Sequence, residues 1–370
     1  MYPNDRSHLG RRVDDIDTPA LLIDYGQLRA NVVRMAEYFD ERDADLRPHA
    51  KTHKCPQIAA LQVAHGAVGV TCAKLGEAEV MATAGIESIL IANQLVGSRT
   101  ADRLARLIRY TGAQVMPAVD APQRIAELAR AGRDWDVVVP AVVEVDIGLR
   151  RGGVRELEDA FELAQTLQED DFLSFAGVIA YEGHALREKD PRRRAEVVNL
   201  SLPRLIEAAE MLRERGLEVP LVSAGSTGTY TVTGNYPGIT EVEAGSYVLM
   251  DANYLATVEG FPPALHLLTT VTARHEEELV VADMGLKSVS VDQVPPVIVE
   301  PVGVEIIHLS EEHAQLGLRS EDARQLRPGD RLKVVVGHCC TNVNLHDHFF
   351  VCEGDTVIDV WPIAARGRSQ

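Results

Sequence analysis

Apolar positions fall in two rhythms along the chain. Up to about residue 260, short β-rich apolar runs alternate with stretches of helical period. Strands are predicted at 45–51, 67–74, 88–93, 114–119, 136–146, 175–181, 219–224 and 239–249. Helical patterns lie between them at 27–41, 54–64, 98–111, 155–169 and 191–215, where Pro191 suits a helix start and Gly216 its end. Such alternation implies a parallel sheet covered by helices, and this many βα units favours a closed (β/α)8 TIM-type barrel over an open doubly wound sheet. From about 260 the helical period fades. Segments 266–273, 279–283, 297–308, 331–337, 348–352 and 356–361 are strand-like, with 326–330 (LRPGD) as a turn before a strand. The expected organisation is a barrel over 15–258 and a second, mainly β C-terminal domain over 259–370.

Composition narrows the class of protein. The chain has 370 residues, 46% hydrophobic and 25% charged, which suits a soluble globular protein with a sizeable core. Lys and Arg number 37 against 55 Asp and Glu, a formal charge of −18. That surface repels phosphate backbones and anionic membranes, so neither nucleic acid nor a membrane is an expected partner. No apolar run approaches the roughly 18 residues that span a bilayer, and the opening MYPNDRSHLGRRVDD lacks the apolar core of a signal peptide. Five cysteines, two of them adjacent, do not form a disulfide framework pattern. A cytoplasmic enzyme is the expectation.

Barrel chemistry sits at the carboxyl ends of strands, and several predicted strands end in polar groups. The first ends in His49-Ala-Lys51-Thr-His53, whose alternate positions share one face if the strand continues. Others end in Cys72-Ala-Lys74, in Glu144-Val-Asp146 followed by Gly148 and Arg151, and in Tyr181-Glu-Gly-His184. The seventh runs into Ala224-Gly-Ser226-Thr227-Gly228-Thr229, which offers backbone N–H groups and hydroxyls of the kind that bind phosphate; alone, it reads equally as a Gly/Ser turn. A lone strand-end lysine is usually a solvated surface group. Lysine, phosphate-type loop and an arginine near a Gly-rich turn together suggest an aldehyde cofactor with a phosphate arm. Lys74 is expected to pair with Glu77 or Glu144, and His49 and His53 to pack beside Lys51.

The strings RPHAKTHK, VGVTCAKLGEAE, VEVDIGLRRGGV, YEGH, SAGSTGTY, GSYVLMDANY, DMGLKS and GHCCTNVNLHD, with WPIAARG near the end, resemble the D-threonine aldolase and D-serine dehydratase-like family. This is the metal-dependent branch of the alanine-racemase-fold (fold type III) pyridoxal-phosphate enzymes. The resemblance runs from about residue 14 to 368, with the motifs in the family's order. It implies pyridoxal 5'-phosphate carried on Lys51, Arg151 near the cofactor ring, Tyr181 at the cofactor site, and the turn at Ser226, Thr227, Gly228 and Thr229 around the phosphate. It also implies a divalent metal ion (Zn, Mn or Mg) on His338 and Cys340, a small D-amino acid substrate, and a homodimer with the active site at the subunit interface. Residues 1–14 are expected to pack with the β domain.

Spacing leaves the metal pair open. On an extended segment His338 and Cys340 would face one way and could bind a divalent ion, with His346, Asp347 and His348 orienting them. Equally, Cys339 and Cys340 could be buried apolar fillers, or join Cys352 and a histidine in a closed structural zinc site. The family context favours the open catalytic site. His184 is a candidate for proton transfer, or it merely caps the site mouth.

Two reactions on a D-3-hydroxy amino acid then compete. Loss of the hydroxyl proton leads to retro-aldol cleavage into glycine and an aldehyde; loss of the Cα proton leads to elimination of water, as in a D-serine or 3-hydroxy-D-aspartate dehydratase. A His-x-Cys pair resembles the dehydratase pattern, whereas the stretch at Tyr181–His184 does not resemble the eukaryotic dehydratases. Aldolase-type cleavage is narrowly favoured. A racemase of the same fold, a non-catalytic pyridoxal-phosphate-binding protein and a barrel metal hydrolase are the rivals.

Overall fold

The computed structural model describes residues 7–370, which divide into two compact units. One comprises 34–51, 56–245 and 368–370; the other comprises 7–33, 52–55 and 246–367. Among the described residues, no helix is long and apolar enough to cross a membrane.

The first unit is built on a parallel sheet of eight strands: Asp45–Leu46, Val70–Cys72, Ser88–Gln94, Gln114–Val119, Val139–Glu144, Leu173–Ile179, Leu221–Ala224 and Glu241–Val242. Val139–Glu144 is buried at every position, as a strand covered on both faces must be. Each strand pairs with its successor from Val70 onward, and Glu241–Val242 returns to pair with Asp45–Leu46. The ring closes where the Thr71 N–H donates to the Pro48 carbonyl at 2.8 Å and Val68 N–H to Leu46 at 3.0 Å. Helices connect the strands. Pro191–Glu214 starts where the Asp190 carboxylate accepts the N–H groups of Arg192 and Arg193, at 2.8 and 3.1 Å, and Gly216 follows its end with φ +88°. Ser98–Thr111 buries Ala101, Leu104, Ala105 and Leu107, a helical stripe.

Gln114–Val119 and Ser88–Gln94 lie on their predicted runs, but other strands in this unit are shorter than the predicted runs. The first ends at Leu46, and Ala50–Thr52 forms a tight 3-10 turn. Positions 49, 51 and 53 therefore do not alternate along a strand as expected. Glu241–Val242 is likewise all that remains of the run 239–249.

The second unit is a mainly antiparallel sheet. Leu265–Glu276 is its central strand, pairing with Leu279–Ala282, Arg331–Val335 and Ala20–Asp24. Ala20–Asp24 also pairs in parallel with His348–Glu353, so the 15–33 segment lies in this unit and not in the barrel as the expected boundary had it. The reason is physical: Leu21 and Leu22 are buried between strands more than two hundred residues away, which pair with Ala20–Asp24 on both edges. The run 297–308 is two strands, Val297–Glu300 and Val304–Leu309, broken at Gly303 with φ +90°. Residues 1–6 of the expected N-terminal packing segment lie outside the described residues. Further along, Gly10 N–H donates to Val357 at 2.9 Å and Val13 N–H to Asp355 at 2.9 Å. Val13 and Ile16 join Leu22, Leu268, Phe350 and Val357 in the core.

Arg47 holds the closing strands of the barrel. Its guanidinium binds Glu241 bidentately, both contacts 2.7 Å, and reaches Ser88 Oγ at 2.9 Å, with both ionic side chains nearly buried. Gly69 makes room for it: a Cβ there would lie 2.3 Å from the Ser88 carbonyl oxygen and 2.5 Å from Arg47 Nη1. Arg47→Met leaves Glu241 buried without its partner and is expected to cost about 3–5 kcal/mol of stability, read from the urea midpoint of circular dichroism. Replacing Glu241 by Leu in the same chain should recover most of that loss.

Candidate active site

Four features of the barrel unit bear on chemistry. Lys51 stands in the turn after the first strand, with its Nζ 5.8 Å from the centre of the Tyr181 ring. The Arg151 guanidinium carbon lies 5.6 Å from the centre of that ring. Two cations thus share one aromatic ring at cation–π range. Arg151 is anchored in turn by Glu144, Nη2 to Oε1 at 3.7 Å, while the Gln94 amide donates to the other carboxylate oxygen. Burial raises the pKa of Glu144, against the Gln94 hydrogen bond and the Arg151 charge. Lys74 pairs with neither expected acid: Glu77 accepts the backbone N–H groups of Ala73 and Lys74 at 2.6 and 3.2 Å, and Glu144 is taken by Gln94 and Arg151.

The turn at 225–229 is organised by Glu182. This fully buried carboxylate accepts the Gly225 N–H at 3.1 Å and the Thr229 and Thr233 hydroxyls at 2.7 Å each. Gly225 has φ +92°, and a Cβ there would meet Val242 Cγ1 at 2.8 Å. Thr229 Oγ1 accepts the Ser226 N–H at 3.0 Å, and its own N–H goes to the Ser226 carbonyl at 3.1 Å. Both donors of Thr229 are therefore spent on the turn. The backbone N–H of Gly228 has no protein partner among the described residues. An unspent N–H in a turn fixed from behind suits an anionic group such as a phosphate.

His184 lies in the turn Gly183–Arg187. Its Nε2 is 3.0 Å from Ser201 Oγ, whose one proton goes to the Val197 carbonyl at 2.8 Å. Ser201 therefore accepts from the ring, which places the proton of the neutral imidazole on Nε2. Nδ1, buried and with no protein partner among the described residues, is left as a bare acceptor. Glu243 is a fourth feature. It is wholly buried, takes the Ser223 hydroxyl at 2.9 Å, and burial pushes its pKa from 4.5 to about 7, against that hydrogen bond and with the Glu241 charge, while the Lys51 charge works the other way.

The β unit carries the second candidate centre. His338, extended at φ −143° and ψ 114°, immediately precedes the short helix Cys339–Val343, so the expected extended His-x-Cys segment is a helix start instead. The turn still leaves the Cys340 thiol near enough to the imidazole to act on its charge. Burial opposes charge on His338, yet Cys340 and then Asp292 raise its pKa from 6.5 to about 9. His338 Nδ1 is 2.7 Å from Asp292 Oδ2, and Cys340 Sγ is 3.3 Å from the Thr52 hydroxyl. The expected orienting residues are engaged elsewhere: His346 Nε2 with the Ser288 carbonyl at 2.7 Å, and Asp347 with Arg366 at 2.6 Å. His348 begins the strand His348–Glu353. Among the described residues no group of three or more His, Cys, Asp and Glu converges on a metal position, so the closed zinc site with Cys339, Cys340 and Cys352 does not form. Cys352 is instead a core thiol against the Phe350 carbonyl, at 3.6 Å. An imidazole and a thiol two positions apart, with no third ligand among the described residues, fit an open site for a divalent ion, the thiol favouring the softer, zinc-like ones.

Glu144, Glu182, Glu243 and Asp292 were not among the residues singled out from sequence as site residues. A signal existed for Glu243: it alternates with Glu241 through an otherwise apolar strand run, where a carboxylate needs a reason.

Residues 23–253 match the family of the alanine racemase N-terminal domain, and residues 264–352 match a serine dehydratase domain. A 3-hydroxy-D-aspartate aldolase of Paracoccus denitrificans (strain Pd 1222) is 34% identical over 369 residues, covering 97% of this chain and 94% of its own. The crystal structure of D-threonine aldolase from Filomicrobium marinum is 34% identical with a TM-score of 0.92, over 97% of this chain and 98% of that one. A point mutant of D-threo-3-hydroxyaspartate dehydratase in its metal-free form is 26% identical with a TM-score of 0.85, over 95% and 98%.

Glu243 gives a pH-dependent prediction. Its carboxyl holds a proton more tightly folded, at about 7, than at the ordinary 4.5, so the folded state binds more protons between those values. Stability is then full at low pH and falls as pH rises through about 7. Glu243→Gln should match the wild type near pH 4.5 and exceed it by on the order of 3 kcal/mol at about pH 8. Urea midpoints at the two pH values test this, and a gap that does not change with pH would refute it.

Proposed function

The chain belongs to the family of the alanine racemase N-terminal domain, and from that membership we propose that it is a pyridoxal-phosphate- and divalent-metal-dependent lyase that cleaves D-3-hydroxy amino acids to glycine and an aldehyde. The observations that carry the reading are an amine, Lys51, set against the Tyr181 ring, and a buried imidazole nitrogen without a protein partner among the described residues, His184 Nδ1, both in the barrel unit. An amine to hold an aldehyde cofactor and a base free to take a proton are the two groups the cleavage needs.

In this reading Lys51 carries the cofactor, Tyr181 and Arg151 flank its ring, and the turn at Ser226, Thr227, Gly228 and Thr229 receives its phosphate. Gly228 contributes its N–H, while Thr229 fixes the turn's shape through Glu182. Pyridoxal phosphate supplies an electron sink for bonds at the α-carbon of a bound amine. His338 and Cys340 would hold the divalent ion, whose Lewis acidity favours loss of the hydroxyl proton. His184 Nδ1 would accept that proton as the Cα–Cβ bond breaks and the aldehyde leaves, and a proton returned to the α-carbon completes glycine. The ring stays oriented because Ser201 keeps hold of Nε2 through the transfer. The proton on His338 has to leave before a cation binds, so metal uptake should release a proton.

The aldolases at 34% identity support cleavage over elimination. In the same reading the chain forms a homodimer with the active site at the subunit interface. The exposed apolar side chains of Val297, Val302 and Ile307 on the β unit support assembly with a second copy.

Lys51→Ala should lose the visible absorbance of the bound cofactor together with turnover. His184→Ala should keep the absorbance and lower kcat about 10²–10⁴-fold. Incubation of the cofactor- and Mn²⁺-loaded protein with D-threonine should release glycine and acetaldehyde. Formation of 2-oxobutyrate and ammonia would replace this reading by a dehydratase, and inversion at Cα alone by a racemase.

A further inference from the structure

We propose that Asp292 is the positioning residue of the His338–Cys340 pair: its carboxylate fixes the proton of His338 on Nδ1 and so presents Nε2 to the cation. The proposal rests on the metal reading of that pair given above. Asp292 Oδ2 lies 2.7 Å from His338 Nδ1. An ionised carboxylate only accepts, so the ring nitrogen facing it must be the donor. The neutral ring then has its lone pair on Nε2, the one atom through which it can bind a cation while the Asp292 contact persists.

Asp292 is itself held in place. The Thr341 hydroxyl donates to Oδ1 at 2.5 Å, and Thr341 lies in the same short helix that follows His338. The Ser290 N–H donates to Asn342 Oδ1 at 3.0 Å, and Ser290 Oγ to the His338 carbonyl at 3.3 Å. Residues 290–292 are thereby clamped to the helix start by polar contacts alone. Packing does not account for this: the Asp292 side chain is 38% exposed, and a surface ion pair of that kind stabilises a fold little. The acidic and histidine side chains nearer in sequence, His346 and Asp347, have the Ser288 carbonyl and Arg366 as their partners. Asp292, forty-six residues before His338, is the group that faces the ring.

The test is Mn²⁺ binding by titration calorimetry to metal-stripped, cofactor-loaded protein. Wild type, Asp292→Ala, Asp292→Asn, Asp292→Glu and His338→Ala are compared, with cofactor absorbance and thermal midpoint recorded for each. Asp292→Ala should weaken Mn²⁺ binding about 10–100-fold with absorbance and midpoint kept, and Asp292→Glu should restore most of the affinity. Asp292→Asn, which preserves shape and an acceptor oxygen, should fall between wild type and alanine and serves if the alanine variant fails to fold. Wild-type affinity in both Asp292→Ala and Asp292→Asn, with binding lost in His338→Ala, would overturn the positioning role and leave the metal reading intact. Equal binding by wild type and His338→Ala would overturn both.

Discussion

The barrel depends on a junction only a few residues long. Asp45–Leu46 contributes two residues to the sheet, yet it must hold Glu241–Val242 on one side and the segment before Val70–Cys72 on the other. Ladder bonds from so short a strand are few, and the bidentate Arg47–Glu241 contact adds two charge-assisted bonds at the same place. Removing two charges from water is costly, and the fork geometry with Ser88 satisfying a further donor is what offsets it. Lys51 follows four residues later, in a turn whose start is tied to the neighbouring strand by the His49 N–H bond to Ala244 at 3.1 Å. The position of the reactive amine is thus inherited from the way the ring closes.

Buried carboxylates do the internal shaping of this unit, each in a different way. Glu182 takes three donors and turns a Gly/Ser/Thr stretch into a fixed loop with an outward N–H. Glu144 ties Arg151 down so that its guanidinium stays over Tyr181. Glu243 is buried with one neutral hydroxyl donor, and burial pushes its carboxyl up to about 7. A carboxylate with several strong donors can stay buried at little cost, whereas one with few holds its proton.

The two-rhythm organisation was legible from the sequence because strand and helix periods are local properties. Helices such as Ser98–Thr111 and Pro191–Glu214 carry their own stripes and caps, and lie where their patterns placed them. Ala20–Asp24 carries no such signal. Its identity as a β-unit strand comes from partners at 265–268 and 349–352, a pairing that periodicity cannot reveal. The same limit governed the site. Lys51, Arg151, Tyr181 and the 226–229 turn lie in motifs contiguous in sequence, but the contacts that organise them, Glu182 to the turn, Glu144 to Arg151 and Gln94 to Glu144, are set by the fold. Lys51 on a tight turn instead of an extended strand shows the limit of period-two reasoning where a strand ends. His338 and Cys340 converge for a reason other than the expected one, since a helix start and not an extended run brings them together.

The two histidines of interest show how one side chain is set to different tasks by what holds its far nitrogen. His184 gives its Nε2 proton to a serine oxygen that has already spent its own proton, a neutral anchor that fixes the tautomer without adding charge. Its free nitrogen is then Nδ1. His338 is anchored the other way round, with Nδ1 against a carboxylate, which leaves Nε2 as its other nitrogen. A negative partner on the far side raises the basicity of the near side, which suits a ligand that must compete with protons for a cation. A neutral partner holds the ring's orientation without adding charge, which suits a group that accepts a proton and then returns it. The identity of the anchoring residue, serine in one case and aspartate in the other, is therefore the feature that separates the base from the ligand.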